Sequence, residues 1–556
     1  MQQWFPLWRQ LQHYDLKTDL KGDLNAALIV AIMLIPQGMA YAMLAGLPPV
    51  MGLYASTVPL FIYALMGTSR QLAVGPVAMV SLLIFTGVSG LAEPGSAEYI
   101  SYVILLALMT GVIQLLFGVL KLGGITKFIS HAVISGFTSA AAIVIGFSQL
   151  NHLLGMDLGD SKNVFVIAGT VMNRFTAIDP LTLSLGVGGM LILIVAKKKI
   201  PKIPAPLFVV VLAIGLVQVF NLHDQGVRIV GDIPGGLPGI TVPDVSVDTM
   251  MILIPTALTI AMIGFVESYA MAKVISTKEK YPISADAELR ALGAANIGAG
   301  FFSGFPVTGG FSRSAVNYES GARTGMASIF TGLFIVLTLL FFTSWFYYLP
   351  RAILAAIILV AVYGLIDFKE AKHLFQVKKV DGITLIVTFM ATLVIGIEMG
   401  ILIGILFSLG VFIYRSAKPH MAELGYVKGM DDYLNIERFP EAETFDDVLM
   451  IRIDAPIYFA NMAYIEEHLR ERMIEHRHLK HVVIDFSGVN DMDAVALDEF
   501  DEWLDYHRSE GVHFYFVLVR GPVRDLFARY GWTDAHHDEF CYHSVQEAVM
   551  DLKKIG

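Results

Sequence analysis

The chain has 556 residues, of which 55% are hydrophobic and 16% charged, with a formal net charge of -10 and a mean hydropathy of +0.63. Soluble chains carry about a quarter charged residues, so this composition excludes a soluble globular protein and predicts a polytopic membrane protein. The single cysteine, Cys541, excludes an intrachain disulfide framework.

Residues 1–21 are polar and mixed in charge, unlike a cleavable signal peptide, and their Trp4 and Trp8 suit a membrane surface. A transmembrane domain is expected over 22–416, where a spanning helix needs about 20 apolar residues. Apolar segments fall near 24–43, 49–66, 75–90, 98–120, 127–150, 179–196, 204–221, 249–273, 287–303, 311–320, 324–345, 349–365, 381–396 and 397–415. The third and tenth are short. Only Ile397-Glu398-Met399-Gly400 separates the last two, and Glu398 is read as lying at a helix break without a role.

Lysine and arginine set the orientation. With the N-terminus in the cytoplasm, the inner loops hold Arg70, Lys121, Lys127, Lys197, Lys198, Lys199, Lys202, Lys273, Lys278, Lys280, Lys369, Lys372, Lys378, Lys379, Arg415 and Lys418. The outer loops hold only Lys162, Arg174, Arg228 and Arg351. This asymmetry places both termini in the cytoplasm.

Beyond Arg415-Ser416-Ala417-Lys418-Pro419 the composition changes, and residues 419–556 contain no spanning segment. Runs 448–453, 481–486 and 514–519 read as strands, and 460–478, 493–510 and 521–531 as helices. Such alternation predicts a small cytoplasmic α/β domain.

The chemistry concentrates where the short segments begin. Phe305-Pro306-Val307-Thr308-Gly309-Gly310-Phe311-Ser312-Arg313-Ser314-Ala315-Val316-Asn317 starts as a Gly-rich stretch and continues as a helix; Arg70-Gln71-Leu72-Ala73-Val74-Gly75-Pro76-Val77 has the same character. Interrupted segments in corresponding halves of a membrane protein mark a transport site near the bilayer midplane. Helix N-termini present free N–H groups and a positive dipole end, which favour an anion. Val74, Gly75 and Pro76 are expected to open one half-helix, and Phe311, Ser312 and Arg313 the other. Ser312 either donates to the anion or caps its helix. Arg313 supplies positive potential, forms an internal salt bridge, or snorkels to an interface.

Several motifs, in order, resemble the sulfate permease family of anion transporters and exchangers. They are Pro36-Gln37-Gly38-Met39-Ala40-Tyr41-Ala42 with Ala45-Gly46-Leu47-Pro48-Pro49-Val50-Met51-Gly52-Leu53-Tyr54, then Ser69-Arg70-Gln71-Leu72-Ala73-Val74-Gly75-Pro76, and Phe311-Ser312-Arg313-Ser314-Ala315-Val316-Asn317. The tail resembles the STAS domain these transporters carry. The resemblance implies fourteen transmembrane segments in two inverted repeats of seven. It also implies a core domain carrying the substrate past a gate domain in an elevator-like movement, and a homodimer.

Gln37 and Tyr41 are four residues apart, so they share a helix face. They serve either interhelical packing or, as the resemblance implies, the site lining. Glu267 lies within the eighth segment, where a carboxylate is costly unless paired, hydrated or protonated. It either pairs permanently with Arg313 or carries the coupling ion. Asn296 and Asn317 read as interhelical hydrogen-bond partners. In the tail, Asp485-Phe486-Ser487-Gly488-Val489-Asn490-Asp491-Met492-Asp493-Ala494 resembles the STAS central loop. Ala494 stands where related soluble domains carry a phosphorylatable serine, which argues against that switch. His536-His537 and His543 fit no zinc spacing and read as solvated surface.

These readings converge on a secondary transporter of sulfate or a similar oxyanion in a bacterial inner membrane, with a proton as coupling ion through Glu267. Sodium-coupled uptake of bicarbonate or a dicarboxylate, and anion exchange, are the alternatives. A signalling scaffold using a cytoplasmic partner of the tail is a third. No GxxxxGK[ST] loop is present, and no enzyme activity, cofactor, metal or nucleic-acid partner is expected.

Overall fold

The computed structural model describes residues 5–12, 14–124, 130–158, 163–199, 205–243, 246–476, 478–532, 539–540 and 542–555. Trp4, Lys127, Lys162, Lys202, His536, His537 and Cys541 lie outside these described residues, as do the side chains of Lys197, Lys198 and Glu398. The chain divides into two compact units, Met1–Ser408 and Leu409–Gly556.

The first unit is helical because its segments are long, apolar and marked at their ends. Ser96 accepts from Tyr99 N, Ser130 from Ala132 N, Ser284 from Ala287 N and Asp367 from Lys369 N, each at a helix start. In chain order the helices are α1 (Pro6–Leu11), α2 (Asp19–Leu44), α3 (Pro49–Tyr54), α4 (Val58–Met66), α5 (Ala78–Val88), α6 (Ala97–Val119), α7 (His131–Ser148) and α8 (Leu150–Leu154). Then come α9 (Val164–Asn173), α10 (Pro180–Lys199), α11 (Ala205–Val219), α12 (Val247–Lys278), α13 (Ala285–Phe301), α14 (Phe311–Glu319), α15 (Met326–Phe341), α16 (Arg351–Tyr363), α17 (Phe368–Val377), α18 (Lys379–Val394) and α19 (Ile397–Ala417). Two-residue strands β1 (Val74–Gly75) and β2 (Thr308–Gly309) precede α5 and α14.

Seven helical stretches among the described residues are long and apolar enough to cross a membrane, and five apolar helices are shorter. Large apolar side chains such as Leu191, Leu212, Leu337, Ile386 and Leu406 stand exposed on the outside, as a lipid-facing surface requires. The expected N-terminal surface segment is a short helix, α1, with Leu7 buried and Trp8 65% exposed; Gln10 Oε1 accepts from Gly325 N ahead of α15. Two helices, α9 and α17, lie where no segment was expected.

Packing joins distant segments. Helix α2 packs on α3, α14 and α15, and α13 packs on α6 and α4. A Cβ at Gly52 would stand 1.9 Å from Gly38 O, and one at Gly293 would stand 2.5 Å from Leu115 N. Backbones therefore touch where α2 meets α3 and where α6 meets α13, the close approach small residues allow in membranes. A second group is formed by α7 against α18 and α16, and by α10 against α11 and α16.

The second unit holds a five-stranded sheet in the order β4-β3-β5-β6-β7. Its strands are β3 (Met421–Val427), β4 (Asp432–Asn435), β5 (Val448–Ile453), β6 (His481–Asp485) and β7 (His513–Val517). Strand β3 pairs antiparallel with β4 and β5, and β5, β6 and β7 run parallel. Period-two burial splits the strands between two cores. Leu449, Ile451, Val482, Ile484, Phe514 and Phe516 face α20 (Phe459–Glu475), α21 (Ala494–Ser509) and α22 (Gly521–Tyr530). Met450, Val483 and Val517 face α23 (Val545–Ile555). Strands β3 and β4 and helix α23 add to the elements read from the sequence.

Candidate functional site at the crossing of two broken helices

Extended segments lead into α5 and α14, and their strands cross antiparallel, with Val74 opposite Gly309 and Gly75 opposite Thr308. The crossing is held beyond its own ladder. Gly310 N donates to Ala73 O at 3.1 Å. Ala73 N donates to Ser314 Oγ at 2.9 Å, and Asn317 Nδ2 to Gln71 O at 2.9 Å. Asn296 clamps the other segment, receiving from Val307 N at 2.7 Å and donating to Val307 O at 3.0 Å and Gln114 Oε1 at 2.9 Å. Asn296 thus makes the interhelical bond expected of it, to α6, whereas Asn317 bonds to the backbone of the extended segment at Gln71.

One expectation is corrected here. Val74 and Gly75 do not open the facing half-helix; they form β1, and α5 starts at Ala78 after Pro76 and Val77. The ladder with β2 claims their backbone, and Pro76 lies ahead of the helix, where its carbonyl serves Arg313.

The second half-helix begins as expected, at Phe311. Its N-cap is Gly310, without a side-chain cap. Ser312 is therefore two residues too far on to cap its helix, and it is exposed. Phe311 beside it is also exposed. In both half-helices the first N–H groups have no intrahelical acceptor: the first α-type bonds run from Ser81 N to Val77 O and from Ser314 N to Gly310 O.

Arg313 is 2% exposed. Its Nη1 donates to Pro76 O at 2.6 Å, while Nε and Nη2 are buried without a partner. A Cβ at Gly310 would stand 2.9 Å from Arg313 Nη2, and one at Gly75 would stand 3.5 Å from it. The guanidinium thus lies against the strand crossing, between the two glycines, with two nitrogens unused. A buried cation normally carries paired charge or a full set of acceptors, so this one marks a place for negative charge.

Tyr41, Glu267 and Arg313 lie close enough to act on one another electrostatically. Glu267 forms no ion pair with Arg313 among the described residues, and its Oε2 is buried and unpartnered. A permanent pair is therefore not what the structure contains. Gln37 and Tyr41 are both 5% exposed on α2, and Gln37 Oε1 is buried without a partner. They follow Pro36, which sits inside the helix and removes one N–H from its hydrogen-bond ladder. Helix α2 packs on both α5 and α14, and α12 does likewise, so the elements that carry the eight expected positions meet at the crossing.

Other functional supports were not anticipated. Ser268 Oγ accepts from Gly309 N at 2.8 Å and contacts Thr308 Oγ1 at 2.5 Å, pinning β2 to α12. Glu288 is fully buried and accepts from Tyr63 Oη, Thr68 N, Thr68 Oγ1 and Ser69 N at 2.5–3.0 Å. It fixes the entry to the segment ending in β1. A carboxylate satisfied by neutral donors from residues some 220 positions away leaves no local signature.

In the second unit, Asp493 is the N-cap of α21, accepting from Ala496 N at 2.8 Å and from Phe459 N at 3.0 Å. Ala494 opens the helix directly behind this carboxylate.

Comparison with known proteins follows the same two-part division. The Sulfate permease family profile matches residues 20–388, and the STAS domain profile matches 439–548. The chain is 40% identical to Sulfate transporter 4.1, chloroplastic, of Arabidopsis thaliana, covering 98% of this chain and 82% of that protein. It is 31% identical to a protein of Mycobacterium tuberculosis named as a probable sulfate transporter, covering 99% and 98%. Among solved structures, murine Solute Carrier 26 family member A9, an anion transporter in the inward-facing state, superposes with a TM-score of 0.92 at 24% identity, covering 99% of this chain and 94% of that one. The transmembrane domain of the cyanobacterial bicarbonate transporter BicA gives 0.61 at 22% identity, over 70% and 98%. With its helical membrane fold and its C-terminal STAS domain, the chain belongs to the sulfate permease family.

Proposed function

We propose that this chain is a secondary anion transporter whose substrate is sulfate, taken up with a proton. The observation that carries the reading is the Arg313 guanidinium, buried at the crossing with Nε and Nη2 unpartnered. The relatives' names supply the substrate. The anion sits between the starts of α5 and α14, receiving from their free N–H groups and the Ser312 hydroxyl. Gln37 and Tyr41 line the site from α2, with Phe311, Val74 and Gly75 at its edge. Arg313 supplies charge, and preorganised donors of this kind bind an anion without rearrangement.

Glu267 is the proton carrier. Its Oε2 is buried and unpartnered, and protonation removes a negative charge that would otherwise repel the incoming anion. Access alternates by movement of the whole crossing relative to the α7, α10, α16 and α18 group. From the lysines and arginines of the loops we read both termini as cytoplasmic, with the transport domain over 22–416 and the STAS domain over 419–556. The protein acts as a homodimer, as the family resemblance implies.

The test is radiolabelled sulfate uptake into proteoliposomes, with and without an inward proton gradient. Gradient-stimulated uptake that Glu267→Gln makes insensitive to pH is expected. Absence of sulfate uptake in both conditions would reject the substrate and turn the search to bicarbonate and dicarboxylates with sodium.

A further inference from the structure

A second cationic cluster lies away from the crossing, where the chain enters α16. Residues 228–231 run antiparallel to residues 347–351. Val230 N donates to Leu349 O at 2.8 Å, Gly231 N to Tyr347 O at 3.1 Å and Arg351 N to Arg228 O at 3.0 Å, with Ile229 bridged to Pro350. This pairing sets Arg228 and Arg351 side by side. Arg351 Nε donates to Ile229 O at 3.2 Å, and among the described residues no other hydrogen bond or ion pair engages either guanidinium. Helix α8 packs on α16 and brings His152 within electrostatic range of both arginines. His152 Nδ1 is buried and unpartnered.

Asp232, four residues beyond Arg228 on the same extended segment, is exposed, and two other carboxylates of these loops are engaged elsewhere. Asp179 is used by Leu181 N, Thr182 N and Thr182 Oγ1. Asp224 lies 3.3 Å from His223 Nε2 and is largely exposed, and His223 packs edge-on against Tyr348. Backbone pairing holds two like charges together, Arg228 exposed and Arg351 half-buried, with no ion pair to either among the described residues. The start of α16, a helix of 13 residues, adds its positive end to the same place. Two of the four cations assigned to the outer loops converge here.

We propose that Arg228, Arg351 and His152, at the N-terminus of α16, form a second anion site on the face opposite the basic loops. Its ligand is a tetrahedral oxyanion, either free in solution or as the phosphate of a lipid headgroup. The two guanidinium groups receive it in bidentate fashion, the imidazole donates from the nitrogen that carries hydrogen, and the positive end of α16 adds to the attraction. The site is independent of the transport reading, because binding rather than uptake reports it.

The test is calorimetric titration of the full chain, purified without lipid, with sodium sulfate. Arg313→Gln removes the principal charge of the crossing. The expected result is that this variant still binds sulfate, and that adding Arg228→Gln weakens the remaining binding by about tenfold or more, as loss of a charge-assisted contact does. Arg228 is chosen because its side chain holds no other group, so folding is unaffected. Arg351→Gln serves as a second variant, checked by its melting temperature. Arg9→Gln, on a different face, leaves the titration unchanged. The proposal is overturned if Arg313→Gln abolishes sulfate binding in a folded protein, or if Arg228→Gln leaves the residual affinity as it was. Repeating the titration in nanodiscs separates the ligand's sources. Equal affinity in phosphatidylcholine and phosphatidylglycerol assigns the site to free oxyanion, whereas loss in phosphatidylglycerol alone assigns it to the headgroup.

Discussion

At the scale of single residues, the proposed site makes distinct demands on Arg313, Ser312 and Glu267. Charge-assisted hydrogen bonds contribute about 1.5–3 kcal/mol, so Arg313→Gln is expected to lower kcat/KM for sulfate by about 10- to 100-fold. Arg313→Lys should restore little, since an ammonium cannot serve Pro76 O and the anion in one planar arrangement. Ser312→Ala tests a finer point. Because Gly310 occupies the N-cap, loss of the Ser312 hydroxyl leaves helix stability alone; KM should rise roughly fivefold, the worth of a neutral hydrogen bond, with an unchanged melting temperature. A fall in melting temperature without a change in KM would reassign Ser312 to a structural role. The carboxylate at 267 is judged by the pH profile of uptake in proteoliposomes: Glu267→Gln flattens it, and a profile that keeps its shape removes the proton-coupling role.

At the scale of elements, the crossing depends on small residues and on remote anchors. Gly310→Ala places a methyl 2.9 Å from Arg313 Nη2, so the guanidinium must shift; sulfate uptake is expected to fall by about tenfold, a cost typical of a lost charged contact, while the fold survives. The start and length of α14 were readable because Gly-Gly followed by polar residues is strong punctuation. The strands β1 and β2 were not, since two residues carry no alternation, and Val74 and Gly75 were accordingly placed in the helix that follows. Strand β3 escaped for a related reason: Glu423 and Gly425 break its apolar pattern. Glu423 is instead satisfied by Arg472 at 3.6 Å and His476 at 3.4 Å, partners only the fold supplies. In the same sheet, burial pushes the Asp454 carboxyl up, but hydrogen bonds from Arg452 and His420 outweigh it and hold it below its ordinary value of 3.8. Its folded pKa lies below the unfolded one, so ionised Asp454 stabilises the sheet above the unfolded value, and that contribution is lost as pH falls through the folded value. Asp454→Asn should therefore lower the stability of the second unit at neutral pH and weaken its acid sensitivity, measured by melting the full chain between pH 3 and 7.

At the scale of the whole molecule, two compact units with separate cores predict separable unfolding. Calorimetry of the full chain should resolve two transitions. Glu288→Gln, which disturbs the fourfold acceptor beneath β1, should shift one, and Asp454→Asn the other. A single transition moved by both variants would show the units to be coupled. The broad architecture was legible because composition and apolar run length report burial directly. The candidate site stood out in the sequence because charge is rare among those runs. What the chain could not announce was the closing of distant contacts: Glu288 with Tyr63 and Thr68, Arg228 with Arg351, and β1 with β2.

That last pairing has an evolutionary consequence. Val74 and Gly309 belong to opposite halves of the chain yet share one ladder, and a Cβ at Gly309 would stand 2.6 Å from Leu72 Cδ1. A larger residue at 309 is tolerable only where 72 shrinks. Positions 72–75 and 308–310 are therefore not free to diverge separately, and substitutions at the crossing must arise as matched changes in both halves.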